Sequence, residues 1–251
     1  MIIYRGPSLI DGTEIVAIVK PSKSKNVKTG GMVQTYILLA NMNPLEASKT
    51  GADVSICGTC PHRGIPSTDP ARKQAEKRSC YVNLGQGPLG IYKAFARGRY
   101  AVADHAATVK LGAGKMVRLG TYGDPAAVPS HVWEALTSEA AGWTGYTHQS
   151  GMTGADVRSD MVMISADTLE GAQAAWAKGE RTFRVIKDVA EIVKGVEISC
   201  PASKEAGART TCEACGLCGG TSVKAKSIAI VDHGPQNRKR LVINRVGSIA
   251  A

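Results

Sequence analysis

Residues 160–186 read DMVMISADTLEGAQAAWAKGERTFRVI, and their pattern changes twice. The run at 160–165 is short and mostly apolar, as the buried strands of a parallel sheet are. Asp167 and Glu170 then frame a capping-box-like start, Leu169, Ala172 and Trp176 recur at helical spacing through Lys178, and Gly179 supplies the stop. The run at 181–186 is short again and rich in β-branched and aromatic residues. Strand, helix and strand in that succession make a βαβ unit, whose strands lie parallel with the helix across them.

The alternation extends in both directions from this unit. Upstream, 53–56 reads as a strand leading into the first cysteines, and 88–96 as a helix with Leu89, Tyr92 and Phe95 on one face, stopped at Gly98. A strand at 115–119 follows. Next comes a helix at 131–141 with Val132, Trp133, Leu136 and Ala140 facing one way, then a strand at 143–147. Downstream, 196–199 and 227–231 read as strands. The first fifty residues differ: 14–20 and 34–40 are β-rich and flank the basic, glycine-containing PSKSKNVKTGG, which predicts a hairpin. The chain therefore reads as one α/β domain over 1–251. A hairpin extension occupies 1–50, βα repeats with the first cysteine group 51–199, a second cysteine group and last core strand 200–234, and a basic tail 235–251. Pattern alone does not separate an open sheet from a barrel.

No uninterrupted apolar run approaches the ~20 residues of a membrane-spanning helix, and the opening MIIYRGPSLIDGTE has no charged segment followed by an apolar one. The expectation is a soluble, cytoplasmic protein with no membrane partner. A formal net charge of +10 points to an anionic small molecule or a nucleic acid as partner. Only two Phe argue against a stacking platform for single strands. The basic run at 236–240 reads as a solvated tail or a nucleic-acid contact.

Seven cysteines fall in two neighbourhoods, Cys57, Cys60 and Cys80 in one and Cys200, Cys212, Cys215 and Cys218 in the other, with none in the 119 residues between. An odd, clustered set suits metal ligation better than a disulfide framework. The second group predicts a closed four-thiolate site, either iron–sulfur or zinc. The first admits a [4Fe-4S] cluster with one iron open to a ligand, a zinc site completed by His62, one cluster served by all seven cysteines with spares, or ligands shared between the groups. The intervening loop carries Arg63, Arg72, Lys73, Lys77 and Arg78 against Asp69 and Glu76. Its cations either offset a thiolate-bound cluster and attract an anion, or form a solvated basic loop.

In α/β folds chemistry collects beyond the carboxyl ends of the strands. The expected strand ends carry Cys57, the stretch 120–124 with Asp124, His148, Asp167, Cys200, and Asp232 with His233. Asp124, His148 and His233 are the candidate catalytic residues, whereas His105 and His131 read as ordinary polar residues.

The order of motifs over roughly residues 52–234 is a strand into CxxC, SCYVN, a strand into GTYGDP, a strand into GYTHQ, VMISAD, ISCPAS, TCEACGLCGG and IVDHG. It resembles a family of largely uncharacterised, cysteine-rich proteins encoded by bacteriophages. That family is in turn similar to radical S-adenosylmethionine enzymes, whose partial (β/α)6 barrel carries cluster cysteines after its first strand. The resemblance implies such a barrel, one or two [4Fe-4S] clusters and the cytoplasm of an infected bacterial host. It also implies a cluster at Cys57, Cys60 and Cys80, and S-adenosylmethionine bound at Gly123 and Asp124. The spacing is not the CxxxCxxC of the radical enzymes, since 19 residues separate Cys60 from Cys80.

Three functions follow from these readings. One is an iron–sulfur enzyme acting on a nucleotide, nucleic acid or peptide. The second is a non-catalytic iron–sulfur protein with a structural or redox role, and the third a zinc-stapled, basic nucleic-acid-binding protein. A closed four-thiolate site contributes to folding, whereas a cluster at a rim can be lost from a formed scaffold. Cys215→Ser or Cys218→Ser is therefore expected to lower soluble yield more than Cys57→Ser, measured as soluble protein per cell mass.

Overall fold

The hairpin predicted at the N-terminus is part of a larger sheet. In the computed structural model, which describes residues 1–20, 28–204, 206–207 and 209–232, strand β1 (Ile2–Pro7) pairs antiparallel with β2 (Glu14–Lys20), and β2 with β3 (Val33–Leu39). Ile15 lies opposite Leu39 and Lys20 opposite Gln34. Residues 15–19 and all of β3 are buried, so both strands are covered on both faces, which explains their unbroken apolar runs. β3 then runs parallel to β4 (Met116–Tyr122), and β4 to β5 (Gly142–Thr144).

A second sheet is wholly parallel. Its strands are β6 (Tyr146–Thr147), β7 (Met163–Ala166), β8 (Thr182–Ile186), β9 (Glu197–Ser199) and β10 (Ser227–Val231), in the order β6-β7-β8-β10-β9. The last strand thus inserts between β8 and β9, and spatial order departs from chain order there. The α/β class holds, as a mixed sheet beside a parallel one. The expected strand at 143–147 breaks at Gly145, whose N–H donates to the Cys218 carbonyl at 3.0 Å and whose carbonyl accepts from Met163 N at 2.9 Å. This junction joins the two sheets.

Seven α-helices are described: α1 (Pro44–Thr50), α2 (Val54–Cys57), α3 (Gly87–Ala96), α4 (His105–Gly112), α5 (Ser130–Thr137), α6 (Leu169–Ala177) and α7 (Cys212–Cys215). The main core is built from β1 to β4 with Trp133 and Leu136 of α5, and a smaller one lies under the second sheet around Met163, Ile228 and Ile230. Among the described residues no helix is long and apolar enough to cross a membrane.

Three sequence expectations need correction. The stretch at 53–56 is the start of helix α2 rather than a strand: Cys57 N bonds Asp53 O and Gly58 N bonds Val54 O, and so short an apolar run has no periodicity to tell the two apart. Ile91, rather than Leu89, is the buried residue of α3 besides Pro88. The start of α6 is capped by Thr168, whose Oγ1 accepts from Gly171 N at 3.1 Å, so Asp167 stands one residue outside the helix with its carboxylate uncommitted to the cap.

Arg184 on β8 reaches past β10 to Glu197 on β9, with contacts of 2.9 and 2.6 Å and side chains 5% and 0% exposed. Val193 N also donates to Glu197, and Arg184 to the Glu191 carbonyl, so both members of the buried pair have further hydrogen bonds. Removing one member strands the other charge in the interior. Glu197→Ala is expected to cost about 3–5 kcal/mol of stability, read from the midpoint of urea unfolding.

Candidate functional site

One face of both sheets borders a cavity of about 570 Å³. Arg118 and Tyr122 of β4, Thr144 of β5, Tyr146 of β6, Phe183 of β8 and Ile228 of β10 are among its walls. All seven cysteines also line it, and all are free thiols. Residues more than a hundred positions apart in the chain therefore meet at one space.

The first cysteine group is held by a buried carboxylate. Asp124 follows β4 and is 7% exposed. Its N–H donates to Ile56 O at 2.6 Å, its Oδ1 accepts from Ala126 N at 3.0 Å, and its Oδ2 accepts from His148 N and Gln149 Nε2, both at 2.9 Å. Gln149 Nε2 also donates to Cys57 O at 2.9 Å, and Gln149 Oε1 accepts from Thr59 N at 3.1 Å. Gly58 between them has φ +51°, and a Cβ there would strike the Gln149 side chain, so the Cys57–Cys60 turn requires glycine. Gly123 is constrained likewise: φ is +84° and an added Cβ would meet Ile37 Cβ at 2.6 Å.

The loop from Cys60 to Cys80 is tied down by its own arginines. Arg63 pairs with Asp53 at 2.7 Å, Arg78 donates to the carbonyls of Cys80 and Val82, and Arg72 faces Asp69 and Glu76. These cations stabilise the loop; Lys73 and Lys77 are exposed. Cys80 N and Ser79 N both donate to His62 O, which brings the third cysteine beside the Pro61–Arg63 turn.

The second group is assembled from β9, α7 and the stretch after it. Cys200 N bonds Ala229 O at 2.8 Å, fixing it at the end of β9 against β10. Thr211 caps α7, Cys212 N donates to Lys28 O at 2.7 Å, and Glu213 Oε2 accepts from Gly31 N at 2.6 Å. The connection between β2 and β3 thereby clasps the cysteine helix. Cys218 hydrogen-bonds Tyr146.

Burial pushes the Cys57 thiol well up, and the nearby Asp53, Cys60 and Cys80 add to it. Burial likewise pushes Cys218 up to about 12, against the lowering contact with Tyr146 and with Cys200, Cys212 and Cys215 raising it further. At neutral pH both thiols hold their protons, and a metal must displace them to bind. The electrostatic neighbours divide as the sequence does: Cys57 feels Cys60 and Cys80, while Cys200 and Cys218 feel Cys212 and Cys215.

Between the two groups lies a polar patch that sequence reading missed. Arg118 and Thr144 are register partners on β4 and β5, and the Arg118 guanidinium lies 5.6 Å from the centroid of the Tyr146 ring. Among the described residues it pairs with no carboxylate. The Tyr122 and Thr144 hydroxyls, on residues 3% and 2% exposed, have no hydrogen-bond partner among the described residues. Buried hydroxyls are rarely left unsatisfied, so a polar or anionic occupant fits this floor. A cation inside the otherwise apolar strand MVRLGTY was the available signal.

His148, at the end of β6, and Asp167, at the end of β7, reach the same rim, where His62 joins them. Burial lowers His148, but the Asp167 carboxylate and the Cys60 thiol outweigh it and raise the imidazole to about 10. Burial raises Asp167, and the two imidazoles more than offset this, holding it well below the usual carboxylate range. Asp232 accepts from the Tyr81 hydroxyl at 2.5 Å. His233 and the basic run at 236–240 lie outside the described residues. His105 opens α4 and His131 lies in the first turn of α5, both exposed.

Comparison with known proteins found no matching family model, curated protein or solved structure. Both oxygens of Asp124 accept hydrogen bonds, so one amide NH2 in their place sets donor against donor. Asp124→Asn is expected to lower stability by about 2–3 kcal/mol, measured by urea unfolding.

Proposed function

We propose that this chain is an iron–sulfur protein that uses its cavity as an active site. The observation that carries the reading is the convergence of all seven free cysteines on one cavity, in sets of three and four. Cys57, Cys60 and Cys80 would hold one cluster with three thiolates, and Cys200, Cys212, Cys215 and Cys218 a second with four. The CxxCxxC core of the second group, with Cys200 as a separated fourth thiolate, is a spacing that suits an iron–sulfur cluster.

When bound, such clusters supply one-electron chemistry. The chain's own residues supply the rest of the site. Arg118 and the free hydroxyls of Tyr122 and Thr144 would bind an anionic group on the substrate, which fits a nucleotide or another anionic small molecule. Tyr146 and Phe183, with ring centroids 4.7 Å apart, give the cavity an apolar wall. The finer reading of the fold goes with this proposal. The parallel strands β4 and β5 of one sheet and β6, β7, β8 and β10 of the other border a single cavity, which supports a partial (β/α)6 barrel. The motif order resembling phage-encoded relatives of the radical S-adenosylmethionine enzymes supports it too, and makes S-adenosylmethionine the co-substrate to test.

Anaerobic purification followed by iron, sulfide and zinc counts per chain tests the reading. Iron and acid-labile sulfide are expected together with a visible thiolate-to-iron charge-transfer band. The double variant Cys57→Ser/Cys60→Ser should lose part of the iron and keep the remainder. A preparation holding zinc alone would overturn the proposal. S-adenosylmethionine added to the reduced protein should alter the cluster's electron paramagnetic resonance signal; an unaltered signal would remove that co-substrate and leave the iron–sulfur assignment standing.

A further inference from the structure

Beside the cysteines, three side chains from three separate segments point at one spot. His62 sits in the turn at Pro61–Arg63, His148 follows β6, and Asp167 follows β7. Their side chains are 15%, 20% and 23% exposed, and all three line the cavity. His62 Nε2 lies 2.9 Å from Asp167 Oδ1, and His148 Nε2 lies 3.6 Å from the same oxygen. The ligand atoms of the three residues all fall within 4.8 Å of one another, and among the described residues no other trio of His, Cys, Asp or Glu does so.

We propose that His62, His148 and Asp167 bind one divalent transition-metal ion, separate from any metal held by the cysteines.

Four features of the geometry argue for an ion rather than a hydrogen-bonded triad. Both imidazoles present Nε2 to one carboxylate oxygen, while among the described residues Oδ2 of Asp167 accepts no hydrogen bond. The 3.6 Å separation of His148 is too long for a good hydrogen bond and suits two ligands of one ion, since donors about 2.1 Å from a tetrahedral centre stand about 3.4 Å apart; the 2.9 Å contact of His62 is a hydrogen bond that an entering ion would replace.

The second feature is the support behind His62. Its Nδ1 lies 2.8 Å from Ser79 Oγ, so the ring nitrogen away from the carboxylate is held by a polar partner. Histidines that bind metals are oriented in this way, because a partner on one nitrogen fixes the ring and leaves the lone pair of the other facing the ion. The third is the arrangement of the rings, edge to face at 73° with centroids 5.6 Å apart, which converges their edges rather than stacking their faces. The fourth is Asp167 itself. An acidic residue between a strand and a helix ordinarily caps the helix, yet Thr168 performs that task and leaves the Asp167 carboxylate to the histidines.

Two imidazoles and one carboxylate are a borderline donor set, suited to zinc or ferrous iron and poorly suited to magnesium or calcium. Three protein ligands leave at least one coordination position for water or substrate, and that position opens to the same cavity as the cysteines. The site does not depend on the iron–sulfur assignment.

The test uses full-length protein purified anaerobically, with Co(II) as a visible stand-in for Zn(II). One Co(II) per chain is expected, with a spectrum of nitrogen and oxygen ligation and no intense thiolate-to-cobalt band. Asp167→Asn should weaken Co(II) binding at least tenfold while iron and sulfide per chain stay unchanged. Ser79→Ala, which leaves all three ligands in place, should weaken it about 10–100-fold. The proposal is overturned if no Co(II) binds beyond that held by the cysteines, if Asp167→Asn binds as tightly as the parent, or if the Co(II) that Asp167→Asn releases shows thiolate ligation. Chains without iron that still bind Co(II) through Asp167 would sink the iron–sulfur reading and leave this site standing.

Discussion

Asp124 sits two residues beyond β4, where the helix carrying Cys57 and the end of β6 come together, and its backbone and carboxylate tie the two. Its N–H holds Ile56, its Oδ2 holds His148 N and the Gln149 amide, and that amide holds Cys57 in turn. A buried anion needs such saturation, because each donor offsets the loss of water around the charge. The same bonds set the position of Cys57, Thr59 and His148 relative to the strands. The spacing between the cysteine group and the histidine pair is therefore inherited from one side chain, and the resemblance that would give Asp124 a cofactor must share it with this structural task.

The cavity exists because the two sheets meet along one line without merging. Gly145 interrupts the strand that would otherwise run through, and its hydrogen bonds to Cys218 and Met163 carry the second sheet away from the first. Both sheets contribute to the polar floor, Arg118, Tyr122 and Thr144 from the first and Tyr146 from the second. Arg118 over the Tyr146 ring spans the seam. A cation in the cavity that the thiols share also suits the negative charge they would carry with metal bound.

What could be read from the residues alone was whatever repeats along the chain. The hairpin, α6, β8 and β10 follow from periodicity and turn chemistry, and Ser227–Val231 falls where its five-residue apolar run predicts. The helix at 53–57 escaped because four residues are too few to show a period. The insertion of β10 between β8 and β9 escaped because pairing order is a long-range choice that no local pattern encodes. At the site, Cys200, His148 and Asp167 were legible as residue types beyond strand ends, and the other cysteines by their spacing. The pairing of Asp167 with His62 was not, since it joins segments 105 positions apart. The basic loop was misleading for a related reason: Arg63 and Arg78 count as surface charge in composition, yet they face Asp53 and backbone carbonyls.

The position of β10 has a consequence during synthesis. Among the described strands β9 pairs with β10 alone, so Glu197–Ser199 has none of them to lie against until Ser227–Val231 has been made. Chains emerge from the ribosome N-terminus first, at a pace of roughly 5–20 residues per second. Through that interval Cys200 is not yet fixed against Ala229, while Cys57, Cys60 and Cys80 already have the whole first sheet beneath them. The two cysteine groups are thus completed in sequence: one can be finished on a partly made chain, and the other closes only with the last described strand.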